Sequence, residues 1–574
     1  MNALTNNAFE ILKDRYLLRN DRGILVETPD QLFKRVAKFV ASVETKDNII
    51  WQRRFYELMS TFTFLPNSPT LMNAGIPNGQ LSACFVLPVD DSLEAIFTTL
   101  KNAALIHQSG GGTGFNFSRL RPKNDVVISS GGTSSGPVAF MKIYDAATEH
   151  VKQGGKRRGA NMGILNINHP DIETFITSKS TKNELQNFNI SVGITDDFMN
   201  AVKHNQSWNL INPRTYRIEK QVKANELWQR IIEEAWKTGD PGLVFLDTIN
   251  KNNPTPNLGR IESTNPCGEV PLLDYESCNL GSVNLALMVL ENGNKPKIDW
   301  DKLAITTQTG VRFLDNIISV NQYILPETRE ITLKNRKIGL GVMGWAEMLV
   351  KLSIPYASME AVELGEKLMK FIKDTSYEAS TELAMEKGAF PEWKHSKHNY
   401  NKPLRNATCN SIAPTGTISV IANTSYSIEP LFALAYKRAG ILGGKEQIEI
   451  NKLFKSKTKV LGFWNKAIKK QLFETGGISG IATIPDRIKK RFETSLEIPW
   501  QYHLLHQKAF QKYTDNAVSK TINLAQNTSV KTISEIYWTA WEYKLKGITI
   551  YRYGSRENQV LRKCGFNNTE ACEI

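Results

Sequence analysis

The chain reads as an α/β protein with a helical N-terminal region. Three observations predict this. Short apolar runs alternate with amphipathic helical stretches from about residue 61 to 545. No repeat at a fixed period and no low-complexity tract breaks that alternation. With 41% hydrophobic and 22% charged residues over 574 positions, the composition is that of a globular chain that buries a sizeable core.

Residues 1–60 predict helices: PDQLFKRVAKFVASV carries apolar residues at helical spacing, and Thr28-Pro29-Asp30 is a start signal. Residues 61–555 form the main body. Within it LSACFVLPV reads as a strand leading into the helix SLEAIFTTLKNAALIHQ, and IGLGVMGW leads towards the long helical run from residue 361 to 388. Residues 440–520 predict helices. The polar tail, residues 556–574, ends with Cys564 and Cys572. No run of eighteen apolar residues predicts a membrane span, and the N-terminus lacks the basic start and apolar core of a signal peptide, so a cytoplasmic location is expected.

Lys and Arg number 71 against 57 Asp and Glu, a net charge of +14 that suits anionic ligands such as nucleotides. The basic runs after residue 440 read as solvated helix faces, and no nucleic-acid-binding motif accompanies them. None of the six cysteines forms CxxC, and no Cys/His set has zinc spacing. No metal site is expected, and redox chemistry is the sharper reading for the cysteines. Gly339-Leu340-Gly341-Val342-Met343-Gly344 matches GxGxxG, but no strand-plus-acid unit follows it as a dinucleotide site requires.

The most informative run is Asn265-Pro266-Cys267-Gly268-Glu269, followed by Cys278. In an extended segment Asn265, Cys267 and Glu269 point the same way and face one pocket. An amide, a thiol and a carboxylate there suit hydrogen bonding to a hydroxyl, sulfur chemistry and proton transfer. The plain alternative is a buried cysteine in a turn.

The run NPCGEVPLLDYESCNLGSVNL resembles the finger loop and following strand of ribonucleotide reductases. SPTLMNAG, LSACFVLPVDDS, SGGGTGFNFSRLRP, QGGKRRGANMGILNINHPDIE, APTGTISVIANTSYSIEP and GITIYRYGSRENQVL extend the resemblance in order from about residue 60 to 560. In particular the chain is similar to the adenosylcobalamin-dependent, class II, enzymes. The resemblance implies a ten-stranded α/β barrel of two antiparallel five-stranded halves with the finger loop inside. It also implies that a thiyl radical on Cys267 abstracts the 3′-hydrogen of a ribonucleotide. Glu269 handles the 3′-hydroxyl proton, Asn265 holds the ribose hydroxyls, and Cys84 and Cys278 form the reducing pair. Shielding of Cys267 by the barrel is expected, since an open radical is quenched. The tail cysteines Cys564 and Cys572 would pass electrons inward from a thioredoxin-like reductant, although seven residues between them exceed the usual close pair. Cys409 has no redox role and reads as core.

Further expectations follow the same likeness. The loop containing Pro414, Thr415, Gly416, Thr417, Ile418 and Ser419 should open onto a helix N-terminus and hold the substrate phosphates. Ser68 and Thr70 resemble residues lining the ribose and phosphates. Asp91, Ser92 and Arg121, with Lys156 and Arg157 in QGGKRRGAN, resemble a specificity site where a deoxynucleotide triphosphate sits at a homodimer interface. Too few residues precede the match for the ATP-binding cone of many relatives, so no activity switch of that kind is expected. Tyr551 and Tyr553 are separated by Arg552, and YRYGSR resembles the class II run rather than the adjacent tyrosine pair of class I chains, which take their radical from a second, metal-containing subunit. That class I reading stays as the alternative. No glycyl-radical motif is present, and a non-catalytic nucleotide sensor is disfavoured because Cys84, Cys267, Glu269 and Cys278 are all retained.

Overall fold

A computed structural model describes residues 3–555 and 561–563, apart from 129–130, 154–156, 182–183, 292–294, 401 and 443–444. Three helices open the chain, Asn6–Arg15, Pro29–Ala41 and Asn48–Ser60. The second starts where the sequence placed it: Thr28 accepts from the Gln31 amide, and the Gln31 side chain returns the bond to complete a capping box. Its apolar stripe, including Leu32, Phe33, Val36 and Val40, is buried in a core shared with the barrel. There Phe313 lies edge-on to Phe55 and Phe64, with ring centroids 5.1 and 5.4 Å away.

Strand β1 is Phe64–Pro66, β2 Cys84–Val86, β3 Gly112–Asn116, β4 Asn161–Asn166, β5 Phe188–Ile194 and β6 Gly242–Phe245. After the finger loop come β7 (Ser277–Asn284), β8 (Ile338–Met343), β9 (Thr521–Leu524) and β10 (Gly547–Arg552). Strands β2 to β6 pair in parallel, in chain order. So do the strands of the second half: β8 joins β7, residues 410–412 bridge from Leu340 to Val518, and β9 joins β10. The halves meet antiparallel at two seams, β2 against β7 and β6 against β10, which closes the barrel. Strand β1 lies antiparallel on the remaining length of β7.

The finger, residues 263–272, is a hairpin whose legs pair Ser263 with Leu272 and Thr264 with Pro271. It runs inside the barrel close against β3. A Cβ on Gly114 would lie 1.7 Å from the Thr264 carbonyl oxygen, so only glycine admits the loop at this height. Arg119 ties both legs at the base, with Nη2 2.8 Å from Glu262 and 2.7 Å from Asp274.

One element differs from the sequence reading, and one agrees with it. Residues 440–520 are not all helical: Ala435–Leu442 and Lys445–Ile450 form an antiparallel hairpin ahead of the helices. The GxGxxG run is strand β8, buried throughout against residues 410–412, as expected for a barrel glycine run rather than a dinucleotide loop. No helix among the described residues is long and apolar enough to cross a membrane.

Gly114→Ala should therefore displace the finger. A loss of about 1–3 kcal/mol in denaturant unfolding is expected from such overpacking, together with loss of any chemistry at the finger tip.

Candidate active site

The tip of the finger is a tight turn, which corrects the extended reading of residues 265–269. Gly268 takes φ +79°, and its amide donates to the Asn265 carbonyl at 3.1 Å. Asn265 closes the turn twice: its backbone amide donates to the Val270 carbonyl at 3.2 Å, and its Oδ1 accepts from the Val270 amide at 3.0 Å. The turn sends Asn265 and Glu269 into the barrel wall and leaves Cys267 at the crest. Wall residues take up the turn's carbonyls. Asn189 Nδ2 donates to Pro266 at 2.8 Å, while Ser411 Oγ and the Ala517 amide donate to Glu269 at 2.9 and 2.8 Å.

Cys84 and Cys278 are register partners across the β2–β7 seam, and both are buried free thiols. Directly paired residues of an antiparallel ladder stand within disulfide reach. Asn265 Nδ2 donates to Cys84 Sγ at 3.2 Å, joining the finger to this pair. Burial pushes both thiols well up, with the nearby Glu269 carboxylate the next cause at Cys84 and Glu276 at Cys278. Each sulfur therefore keeps its proton near neutrality. Glu269 is also raised, to about 7, by its own burial, which outweighs the lowering effect of the Asn265 hydrogen bond. Its Oε2 is buried without a hydrogen-bond partner among the described residues.

These groups line a cavity of about 270 Å³ that includes Cys84, Asn265, Cys267 and Glu269. The predicted loop contributes Pro414, Thr415, Gly416, Thr417 and Ile418 to its opposite wall, and Ser68 lines it too. The helix after the loop, Ile418–Ile421, is a single turn, so the loop does not open onto a long helix as expected. Thr415, at φ +57°, and Ser419 share a hydrogen bond of 2.7 Å, and Thr415 Oγ1 also accepts from Ser427. Those two hydroxyls hold the loop's shape, while Gly416 and Thr417 present its open side. Ser419 and Thr70 do not line this cavity: Thr70 Oγ1 is satisfied by Asn67 Oδ1 at 2.7 Å. Cys278 lies behind Cys84, outside the lining.

Cys267 departs from expectation. It is exposed, and it also lines a second cavity of about 680 Å³ on the other side of the crest. That cavity has a wall of Met162, Leu243, Val420 and Ile548, with Tyr551 and Thr549 from β10. The thiol therefore sits at the junction of two chambers, open to whatever fills them.

Two residues here went unnoticed in the sequence. Arg15 and Tyr16, at the end of the first helix, reach the 270 Å³ cavity. Tyr16 Oη lies 2.7 Å from Ser68 Oγ, and Arg15 Nη1 donates to Thr417 Oγ1 at 3.5 Å. In the sequence Arg15 reads as a favourable charge at a helix C-terminus, and only the packing of the N-terminal helices on the barrel gives it another place.

The model of the ribonucleotide reductase barrel domain matches residues 82–403 and 399–551, and that of the ribonucleotide reductase all-alpha domain matches residues 2–79. The chain belongs to the ribonucleotide reductase family. It is 49% identical to a vitamin B12-dependent ribonucleoside-diphosphate reductase of Thermoplasma acidophilum, over 97% of this chain and 80% of the relative. It is 48% identical to a protein of the same description from Mycobacterium tuberculosis, over 96% of this chain and 80% of the relative. The alpha subunit of the Actinobacillus ureae class Id ribonucleotide reductase superposes with a TM-score of 0.78, covering 96% of this chain and 97% of that one at 24% identity, which shows the shared fold.

Other residues singled out in this reductase fall in three places. Asp91, Ser92 and Arg121 come together at the start of helix Leu93–Gln108: Arg121 Nε donates to Asp91 Oδ2 at 2.8 Å, and Ser92 caps the helix through the Ala95 amide. Arg157 lies in the short strand Arg157–Arg158, which pairs with Lys152–Gln153 beside that helix. Lys156, Cys564 and Cys572 lie outside the described residues. Cys409 is buried, its amide bonded to Asp515 Oδ2 at 2.8 Å, as a core cysteine should be.

The raised Glu269 has a sign that can be tested. Ionising it costs more in the folded chain than in the unfolded one, so stability falls as pH rises from 4.5 through about 7. Glu269→Gln should match the wild type near pH 4.5 and exceed it at pH 8 by up to about 3 kcal/mol in denaturant titrations, at ~1.4 kcal/mol per unit.

Proposed function

We propose that this reductase converts ribonucleoside diphosphates to 2′-deoxyribonucleotides by thiyl-radical chemistry, with adenosylcobalamin as the radical source. The observation that carries the reading is Cys267 at the junction of the two cavities. One chamber holds a carboxylate and the Cys84 thiol, backed by Cys278, a set suited to ribose chemistry; the other offers an open, largely apolar face for a cofactor. The description of relatives as vitamin B12-dependent ribonucleoside-diphosphate reductases supports a cobalamin cofactor and a diphosphate substrate.

The larger cavity suits one face of such a group. Its apolar wall suits the face of a macrocycle, and Gln507, Thr521 and Thr549 offer polar partners for peripheral amides. Met162, Leu243, Val420 and Ile548 would hold the ring. Bound there, adenosylcobalamin supplies an organic radical by homolysis of its cobalt–carbon bond.

The remaining chemistry belongs to the chain. Cys267, as a thiyl radical, takes the ribose 3′-hydrogen. Glu269 accepts the 3′-hydroxyl proton at its unpartnered Oε2, and a group poised at about 7 can take and return it. Asn265, held by Val270 and Cys84, orients the hydroxyls. Cys84 and Cys278 deliver two electrons and two protons: the 2′-hydroxyl leaves as water and one S–S bond forms. Their raised pKa keeps both protons in place until that step. Gly416 and Thr417, with Arg15 at the rim, receive the phosphates. A thioredoxin-like protein re-reduces the disulfide, by way of Cys564 and Cys572.

Control of base choice is assigned to the start of helix Leu93–Gln108, with Asp91, Ser92, Arg121, Lys156 and Arg157 for a deoxynucleotide triphosphate. Leu93, Phe97 and Leu105, exposed by 65, 48 and 39%, form one stripe along this helix, and the helix packed on it, Pro137–His150, carries the exposed Ile143. A second copy of the chain covers that stripe, giving a homodimer that brackets the effector. Against a class I route, Arg552 separates Tyr551 from Tyr553 and is itself tied to the Trp236 and Gln526 carbonyls at 2.9 and 3.0 Å.

With dithiothreitol and a deoxynucleotide effector, CDP turnover should require adenosylcobalamin. Turnover in its absence, driven by an added metal-containing subunit, would support the class I alternative instead. With no reductant, peptide mapping after one turnover should find Cys84 joined to Cys278 and Cys409 still free.

A further inference from the structure

We propose that a cavity at the other end of the barrel binds a linear polyphosphate, as the free anion or as the chain of a nucleoside triphosphate. Strand ends fix its location. Thr408 enters this cavity just before residues 410–412, whereas Ala413 to Ile418 enter the catalytic cavity just after them. Lys251 reaches it beyond the end of β6, while Gly242 at the start of β6 lines the large chamber.

The cavity measures about 480 Å³, within the range of small-ligand sites of ~300–1,000 Å³. Lys251, Lys373, Lys397, Lys508, Lys512 and Lys544 surround it, and Lys546 lines it from the buried side. Among the described residues the single carboxylate in the lining is Asp515, and the protein itself uses both its oxygens. Oδ1 accepts from Tyr377 Oη at 2.9 Å and lies 3.6 Å from Lys373, and Oδ2 accepts from the Cys409 and Asn410 amides at 2.8 and 3.3 Å. Lys512 and Lys544 pair outside the lining, with Glu366 and Asp196.

Four cations remain. Among the described residues no carboxylate lies within 4.0 Å of Lys251, Lys397, Lys508 or Lys546. Lys546 is 6% exposed and, among the described residues, donates only to the Asp515 and Asn516 carbonyls. Burial pushes it down to about 7, more than the attraction of Asp515 restores, and the neighbouring Lys373 and Lys337 push the same way as burial. Three uncompensated ammonium groups and Lys546, which titrates near 7 and is drawn to its charged form by an anion, give a concave site a charge that approaches that of a triphosphate. Tyr543, with Lys508 4.1 Å above its ring, and Tyr377 add flat faces on which a base can rest.

Amine acetylation of the full-length chain, read residue by residue by mass spectrometry, locates the site. Tripolyphosphate should protect Lys251, Lys397 and Lys508 at least threefold and leave the exposed Lys34 and Lys459 unchanged. Protection by ATP as well, or by ATP alone, supports the proposal and identifies the nucleoside triphosphate as the source. Protection by neither, equal protection of Lys34 and Lys459, or protection only by polymeric DNA overturns it. The exposed pair of changes Lys251→Glu and Lys508→Glu, combined, should weaken tripolyphosphate binding in equilibrium dialysis at least tenfold, and unchanged affinity would also overturn it.

Discussion

A loop can run through the inside of a barrel only if the barrel satisfies its backbone. Buried carbonyls and amides without partners each cost a large part of a kcal/mol or more, so the finger needs donors waiting along its path. Asn116 meets the Glu262 carbonyl at 2.8 Å, Asn189 meets Pro266, and Ser411 and Ala517 meet Glu269. Those donors come from both halves of the barrel, β3 and β5 on one side and the strands around residues 411 and 517 on the other. Closure of the sheet and placement of the finger are thus one arrangement. Gly114 completes it by leaving no side chain where the Thr264 carbonyl passes.

Once the loop is inside, burial tunes its chemistry. The same loss of water raises Glu269 to about 7 and pushes Cys84 and Cys278 up. One cause thus prepares a proton acceptor poised near neutrality and two thiols that hold their hydrogens. Cys267 escapes this burial because the turn at Gly268 lifts it onto the crest. An exposed thiol between two cavities is suited to receive an unpaired electron from one side and use it on the other. The shielding such a radical needs falls to the occupants of the two chambers, since the wall does not supply it.

Much of this was legible in the chain. The alternation of strands and helices, the helix start at Thr28 and the NPCGE run could be read directly, and ordered motifs carried the rest of the family likeness. The pairing of Cys84 with Cys278 was visible only through that likeness, because no local pattern joins residues so far apart. Sequence spacing misjudged the tip: a period of two assumes an extended chain, and Gly268 at positive φ turns it instead. Thr70 was misplaced because a hydroxyl beside a cavity in sequence can point away from it, here to Asn67. Arg15 and Tyr16 were missed because their place at the cavity depends on how the first helix docks on the barrel, which its own residues do not encode.

The central claim is that Cys267 carries the radical between the two cavities without building either. Cys267→Ala tests it most directly, with cobalamin binding followed by absorbance and deoxynucleotide formation followed in the same samples. Binding within a factor of about two of the wild type, with no deoxynucleotide formed, is the predicted result. Continued product formation by the variant would contradict the account, since no other thiol among the described residues faces both chambers.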